Sequence, residues 1–315
     1  MRYSIIAIVA MAAHASAHGV LTEIQGANGV NMPGLSVQDG TPRDCATPGC
    51  GSEADTSIIR EREMGGKASA LGRTQGGGAV DAASAIASFM GTGNGNGNGK
   101  ATGNANGNAN TAGTGKKANN NANNANNNKR QLLAGLLGGG KKGNGNGGAS
   151  DGSKTSKGTS EQGVAAAAGT GASSGLPTTS DDGTITMTYH QVNQDGAGPL
   201  TASIDATSGG TDPSAFQTAK VVQDVPGIGI GGLSGATTTD FPVKVQMPAG
   251  MTCQGSVGGA QNVCIVRMQN SALAGPFGGS AAFTQSNAAK KRAVEFNLRK
   301  RHFARGILGM ADADE

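Results

Sequence analysis

The sequence predicts a mainly β protein: an antiparallel, immunoglobulin-like β-sandwich with short helices and a long disordered insertion. Residues 183–190 alternate strictly, with Ile185, Met187 and Tyr189 on one face and polar side chains on the other. This period of two is typical of a half-buried strand. Further short segments of strand character recur between turn-forming Gly, Pro, Asn and Asp residues, at 216–223, 241–247, 262–269 and 280–285. Repeated short strands with turn signals favour a sandwich.

The first seventeen residues have the pattern of a secretory signal peptide. Arg2 precedes an apolar run from Ile5 to Ala13, and the small residues Ala15 and Ala17 match a signal-peptidase site. The apolar run is too short to span a bilayer. We therefore expect removal of residues 1–17, a mature chain that begins at His18, and a secreted, extracellular protein without a transmembrane segment.

The mature chain is expected to fold as one domain built from residues 18–91 and 163–289. An opening strand follows His18. Asp55 precedes a short helical pattern and is a candidate N-cap, and an Ala-rich stretch at 80–90 predicts a second short helix.

Residues 92–162 form the predicted insertion. Their Gly–Asn repeats and Asn-rich block offer too little apolar surface to offset chain entropy, which predicts disorder. The insertion carries nine basic and two acidic residues, and Lys129-Arg130 is a candidate site for a kexin-type protease. It is either a basic tether to an acidic cell wall or a simple linker. Residues 290–315 form a basic tail that we expect to be disordered or proteolytically processed.

The predicted folded part is acidic, although the whole chain carries a formal net charge of +4. Residues 18–91 and 163–289 hold 8 basic and 15 acidic residues, a net charge of −7. With 55 glycines, 3 % aromatic residues and no tryptophan, much of the chain is not core. The acidic balance argues against a nucleic-acid partner.

Four cysteines in a secreted chain predict two disulfides. Three pairings are possible. We favour the two local ones, Cys45 with Cys50 and Cys253 with Cys264, the second linking neighbouring strands. A metal site is the competing interpretation, but these spacings do not match a zinc pattern.

The histidines indicate a copper site. Of 4 histidines, His14 leaves with the signal and His302 lies in the tail, so the folded part keeps His18 and His190. An N-terminal histidine offers its α-amine and its ring, and a second ring gives the three nitrogens of a histidine brace, a set suited to Cu(II). Alternatively, cleavage falls at another residue and His190 is an ordinary strand histidine.

Other residues are candidates for the surroundings of such a metal. Asp195 either orients a histidine ring or forms an Asx-turn. Phe283 is the first candidate and Phe277 the second for an aromatic at the open axial position, with Gln285 nearby, although a core position is the alternative for each phenylalanine. No Ser-His-Asp or Cys-His arrangement is recognisable, and a carboxylate pair for glycoside hydrolysis stays open because no spacing singles one out.

Several stretches resemble a known family. They are HGVLTEIQGANGVNMPGL, DGTPRDC, DTSIIR, YHQVNQDGAGPL and GPFGG. They are similar to the fungal Egh-like (Mas-type) secreted virulence factors associated with appressoria, over nearly all of 18–91 and 176–286. This resemblance implies a role at host penetration and does not by itself supply a biochemical activity.

The N-terminal and internal histidines also resemble those of lytic polysaccharide monooxygenases, copper enzymes on an immunoglobulin-like β-sandwich. This resemblance implies that His18 and His190 are the brace and that a cell-wall or host-surface polysaccharide is the partner. The chain lacks a tyrosine for the axial position and an aromatic platform for a crystalline polymer. A non-catalytic copper-binding or wall-associated protein is the alternative, as is an adhesive without metal, and we expect a monomer.

Overall fold

The structure is a computed structural model that describes residues 18–93, 152–229 and 231–311. The signal peptide, residues 94–151 of the insertion with its Lys129-Arg130 site, Ile230 and residues 312–315 lie outside the described residues. The described residues all fall in one compact unit.

The described ranges contain thirteen strands, and the long ones follow the period-two segments of the sequence. Their bounds are β1 Gly19–Gln25, β2 Asn31–Pro33, β3 Ser57–Ile58, β4 Arg73–Thr74, β5 Gly78–Ala79, β6 Ser153–Lys154, β7 Thr184–Gln191, β8 Thr201–Asp205, β9 Phe216–Gln223, β10 Thr239–Gln246, β11 Gly255–Val257, β12 Ala260–Gln269 and β13 Phe277–Phe283.

The helices of the described ranges are mostly short. They are α1 Ala82–Met90, α2 Gly163–Ala167, α3 Gly171–Ser174 and α4 Asn287–Ala311, with 3-10 turns at Pro48–Cys50, Glu61–Glu63 and Pro213–Ala215. The Asp81 carboxylate caps α1 by accepting hydrogen bonds from the backbone N–H groups of Ala83 and Ser84. This is the predicted second short helix. The predicted C-terminal tail is helical as far as Ala311 rather than disordered.

The helix predicted after Asp55 does not form. Strand β3 and the 3-10 turn at Glu61–Glu63 occupy this segment. Asp55 is fully buried and accepts two hydrogen bonds from the Arg43 guanidinium, at 3.0 and 2.6 Å, so its carboxylate serves an ion pair rather than a helix end.

The strands form one continuous antiparallel path in the order β2-β1-β7-β10-β9-β8-β12-β13-β3-β4-β5, with β6 beside β10 and β11 beside β12. The path curves so that β1 packs against β13, with Gly279 lying directly over Leu21. The mainly β class is therefore confirmed. Because β9 pairs with both β8 and β10, the two faces of the predicted sandwich are joined, and the immunoglobulin-like detail stays a prediction.

The core lies between these faces. The predicted apolar face of β7, Ile185, Met187 and Tyr189, is almost completely buried. It belongs to one large cluster that also contains Val243 and Phe283. The alternation in the sequence thus identifies the core face of β7.

Both predicted disulfides are confirmed. Cys45 bonds Cys50 across the 3-10 turn, and Cys253 bonds Cys264 across the hairpin of β11 and β12. The described residues contain no free cysteine.

The insertion is shorter than predicted at its C-terminal side. Residues 152–162 are part of the fold: β6 pairs with β10, and Glu161 accepts a hydrogen bond of 3.0 Å from Arg43. Placing residues up to 162 in the disordered insertion was therefore wrong. This segment supplies a second carboxylate to a buried guanidinium, and local composition does not reveal that contact.

Candidate metal site

The pairing of β1 with β7 places His18 and His190 on the same side of the sheet. Val20 lies opposite His190, and the N–H of Val192 donates to the carbonyl of His18 at 3.0 Å. Residues two apart share a face, so the two histidines are diagonal neighbours, with Cβ atoms within about 8 Å of each other. The two histidines selected from the sequence are therefore brought together.

Two nitrogens of His18 face the same pair of side chains. The main-chain nitrogen donates to Oδ1 of Asn193 at 2.7 Å, and Nδ1 lies 3.4 Å from Oε1 of Glu53. The Asn193 amide in turn donates to Glu53 at 3.2 Å. The main-chain nitrogen and Nδ1 of His18 therefore contact two side chains that are bonded to each other.

His190 is fully buried, and its ring is fixed by a carboxylate. Its Nδ1 lies 2.7 Å from Oδ1 of Asp240, the residue directly opposite on β10. A carboxylate at Nδ1 favours the proton on that nitrogen and leaves the lone pair on Nε2. Within the described ranges, Nε2 of His190 has no hydrogen-bond partner. The alternation in residues 183–190 places His190 on the face opposite Ile185, Met187 and Tyr189, and the structure encloses its side chain there.

Two carboxyl groups beside the histidines are electrostatically unusual. Burial, followed by the negative charge of Asp195, raises the pKa of Glu53 to about 7. Burial also raises the pKa of Asp195. Low solvation and a nearby like charge both disfavour the ionised form, and a cation in the same place would reverse that preference.

Glycines on both sides allow the backbone of His18 to fit. A Cβ at Gly19 would lie 2.2 Å from the hydroxyl oxygen of Tyr189, and a Cβ at Gly196 would lie 2.0 Å from the carbonyl oxygen of His18. Both distances are far below contact, so side chains at these positions would displace His18.

The aromatic neighbour of His18 is Phe277, the second of the two predicted candidates. The ring centroids are 4.3 Å apart, with an angle of 36° between the planes. Phe283 lies six residues further along β13, about 20 Å away, opposite Cys264 and in the core. Gln285 bonds the backbone of Met251 and Cys253, at 2.9 Å each. The structure therefore does not bring Phe283 or Gln285 to the histidines.

Asp195 is held by a hydrogen bond of its carboxylate and one of its carbonyl. Its carboxylate interacts with its own backbone N–H, and its carbonyl accepts a hydrogen bond from the Asn270 amide at 3.3 Å. Asp240 orients the ring of His190.

In the part of the chain that the structure describes, no group of three or more His, Cys, Asp and Glu side chains could hold a metal ion. A histidine brace differs from such a group because it uses two histidine side chains and one terminal amine. The nitrogens that such a brace would use here are the amine and Nδ1 of His18 and Nε2 of His190.

Glu53, Asn193 and Asp240 were not identified from the sequence. Asp240 reaches His190 through strand pairing across 50 residues, and Glu53 reaches Asn193 across 140. Of these three residues, only Asn193 could have been noticed locally, because it lies three residues after His190 in the stretch YHQVNQDGAGPL that carries the family resemblance.

Comparison with known proteins identifies the family. The family model described as Egh16-like virulence factor matches residues 16–278. The chain belongs to the Egh16-like virulence factor family. This Egh16-like chain is 57 % identical, over the full length of both proteins, to a protein named appressoria-specific virulence factor GAS2 from Pyricularia oryzae.

A second relative from Pyricularia oryzae covers less of the Egh16-like chain. The protein named appressoria-specific virulence factor GAS1 is 39 % identical over 129 residues, which are 40 % of this chain and 50 % of that protein. No solved structure matches the chain. Among the helices of the described ranges, none is both long enough and apolar enough to cross a membrane.

Proposed function

We propose that this Egh16-like protein is secreted at appressorium-mediated host penetration and binds one Cu(II) through a histidine brace. Cleavage after Ala17 would convert the main-chain nitrogen of His18 into a free amine. That amine and Nδ1 of His18, with Nε2 of His190, would be the ligands. Tetragonal nitrogen ligation is the geometry that Cu(II) prefers.

One observation carries this proposal: the environment of the His190 ring. Nε2 is buried without a hydrogen-bond partner in the described ranges, while Nδ1 is held by Asp240. An unsatisfied buried nitrogen destabilises a protein by about 1–3 kcal/mol. A metal ion at Nε2 would satisfy it, and a carboxylate at the other nitrogen is the usual support for a metal-bound histidine.

For the catalytic form of this function we propose oxidative attack on a cell-wall or host-surface polysaccharide. Bound copper would supply the redox chemistry, with an external reductant and oxygen or peroxide. The protein's own residues would fix the ligands: Asp240 holds the tautomer of His190, Asn193 and Glu53 position His18, and Phe277 covers the His18 ring and limits access of water.

The enclosure of the histidines favours a second function, copper binding without catalysis. His18 is 4 % exposed and His190 is completely buried. A polymer chain cannot approach such nitrogens unless the covering residues move. The described part of the chain also contains one tyrosine and no tryptophan, so it offers no broad aromatic platform for a polymer.

The test uses protein that begins at His18, with His190→Gln as the variant and His302→Gln as the control, because His302 is exposed on α4. We expect one tightly bound Cu(II) and an axial resonance spectrum with nitrogen couplings, lost only in His190→Gln. Unchanged binding in His190→Gln would contradict the ligand assignment. Oxidised oligosaccharides from a panel of wall glycans would support catalysis, and their absence with copper bound would support the second function.

A further inference from the structure

The C-terminal helix α4 has two parts with different surroundings. Its first turns pack on the body: Ala289 and Ala293 are buried, and the Asn297 amide donates to the carbonyl of Gly250 at 2.8 Å. From Leu298 to Phe303 every residue is exposed. Successive helical residues are rotated by about 100°, so six in a row cover all sides of the helix. The helix is therefore uncovered on every side over this stretch.

Large apolar side chains are exposed on α4. Phe296 is 45 % exposed and Phe303 73 %. They are seven residues apart, so at about 100° per residue they lie within about 20° of each other around the helix. Among the Phe and Tyr rings of the described ranges, that of Phe303 is the most exposed, and the others are at least half covered. Exposed aromatic rings beside basic side chains suit a partner that has both an apolar layer and negative charge.

The charge of α4 is opposite to that of the rest of the folded protein. The helix contains seven basic residues and one acidic residue, Glu295. Residues 18–93 and 152–286 contain 10 basic and 16 acidic residues. An anionic surface attracts the positive helix and repels the negative body. The protein should therefore meet such a surface with α4 in contact.

We propose that α4 is a binding element for an anionic lipid bilayer surface. Lys and Arg of the helix would contact lipid headgroups, while Phe296 and Phe303, which share one side of the helix, would enter the boundary between headgroups and acyl chains. The exposed apolar side chains favour a lipid surface over an acidic polysaccharide, because a polyanionic sugar chain has no apolar layer to receive them. The helix lies on the surface and does not span it. This function does not depend on copper.

The test is sedimentation of the full chain with vesicles of phosphatidylcholine alone and of phosphatidylcholine with phosphatidylserine. We expect binding to the anionic vesicles that weakens as salt rises. The variant Arg299→Gln/Lys300→Gln/Arg301→Gln should bind roughly a hundredfold more weakly, at about fivefold per charge. Phe303→Ser should bind roughly tenfold more weakly, the contribution of one buried aromatic side chain.

Leu273→Ser is the matched control, because Leu273 is 99 % exposed but lies outside α4. Its binding should equal that of the parent protein. Three results would overturn the proposal: equal binding to both kinds of vesicle, no loss of binding in the triple variant or in Phe303→Ser, or retention on polygalacturonate without any binding to vesicles. Circular dichroism that matches the parent protein establishes that each variant is folded.

Discussion

Asp240 on β10 fixes the ring of His190 on β7, with Oδ1 2.7 Å from Nδ1. The histidine is completely buried, whereas the Asp240 side chain is 41 % exposed. The carboxylate therefore keeps part of its hydration while it directs the histidine proton to Nδ1. The consequence is a buried Nε2 with a free lone pair, the feature on which the proposed copper site depends.

Asp240→Asn should weaken copper binding by about 10- to 100-fold, the usual effect of losing a carboxylate that supports a metal-bound histidine. The amide can donate as well as accept, so it no longer selects the tautomer with the proton on Nδ1. Competition with a chromogenic chelator measures the affinity. Asp181→Asn, at an exposed aspartate, is the control. An affinity equal to that of the parent protein would show that Asp240 does not support the metal site.

The two disulfides should differ in their effect on stability. Loop-closure entropy predicts a loss of about 3 kcal/mol in the free energy of unfolding for Cys253→Ala/Cys264→Ala, and about 2 kcal/mol for Cys45→Ala/Cys50→Ala. The sequence separations are 11 and 5. Cys264 is also fully buried, which adds a packing loss to the first pair. Urea denaturation measures the free energy of unfolding of both variants. A larger loss of this free energy for Cys45→Ala/Cys50→Ala would contradict the prediction.

The boundary of the insertion can be tested by two deletions. Removal of 94–151 should leave both disulfides and the cooperative unfolding transition intact, because the described strands and cysteines lie outside it. Removal of 94–162 should destabilise the protein, because it also removes β6 and the Glu161 carboxylate from the buried Arg43. Thermal unfolding distinguishes the two. Equal melting temperatures would show that residues 152–162 contribute nothing to the fold.

A buried aspartate should make the protein sensitive to acid. Burial raises the pKa of Asp205, but hydrogen bonds from Ser208 Oγ and from the N–H groups of Thr207, Ser208 and Gly210 outweigh it, so the pKa lies below its ordinary value. The ionised group therefore stabilises the fold above its unfolded-state pKa of about 3.9, and this contribution is lost as pH falls through the folded-state pKa.

Asp205→Asn should accordingly lower the free energy of unfolding at neutral pH by about 1–3 kcal/mol, since the amide nitrogen cannot accept these bonds. The difference from the parent protein should shrink at strongly acidic pH. Urea denaturation between neutral pH and pH about 2 measures this, with Asp181→Asn as the exposed control. A difference that stays constant with pH would show that ionisation of Asp205 does not contribute.

The long strands were predictable because each has its own signal. The alternation of Ile185, Met187 and Tyr189 identifies β7 and its buried face without any knowledge of the neighbours. The two-residue strands β3, β4 and β5 have no such signal, since pairing alone defines them. Asp55 illustrates the same limit: its position suits a helix cap, but a buried guanidinium twelve residues earlier takes both of its oxygens.

The candidate site was predictable only in its rarest residues. His18 and His190 stand out because few histidines remain once the signal and the tail are set aside. Glu53 and Asp240 are two among many acidic residues, and only the strand register identifies them. The choice between Phe277 and Phe283 depended on which end of β13 lies beside the start of β1, and the sequence of β13 contains no information on that.

The proposed copper site depends most directly on the amine of His18 as a ligand. The most direct measurement is a Cu(II) titration, followed by electron paramagnetic resonance, of two forms of the protein: one that begins at His18 and one that retains Ala17. We expect a single tightly bound copper with an axial spectrum and nitrogen couplings in the first form. In the second form, where the nitrogen is an amide, affinity and couplings should be largely lost. Identical affinity and spectra in the two forms would contradict the brace.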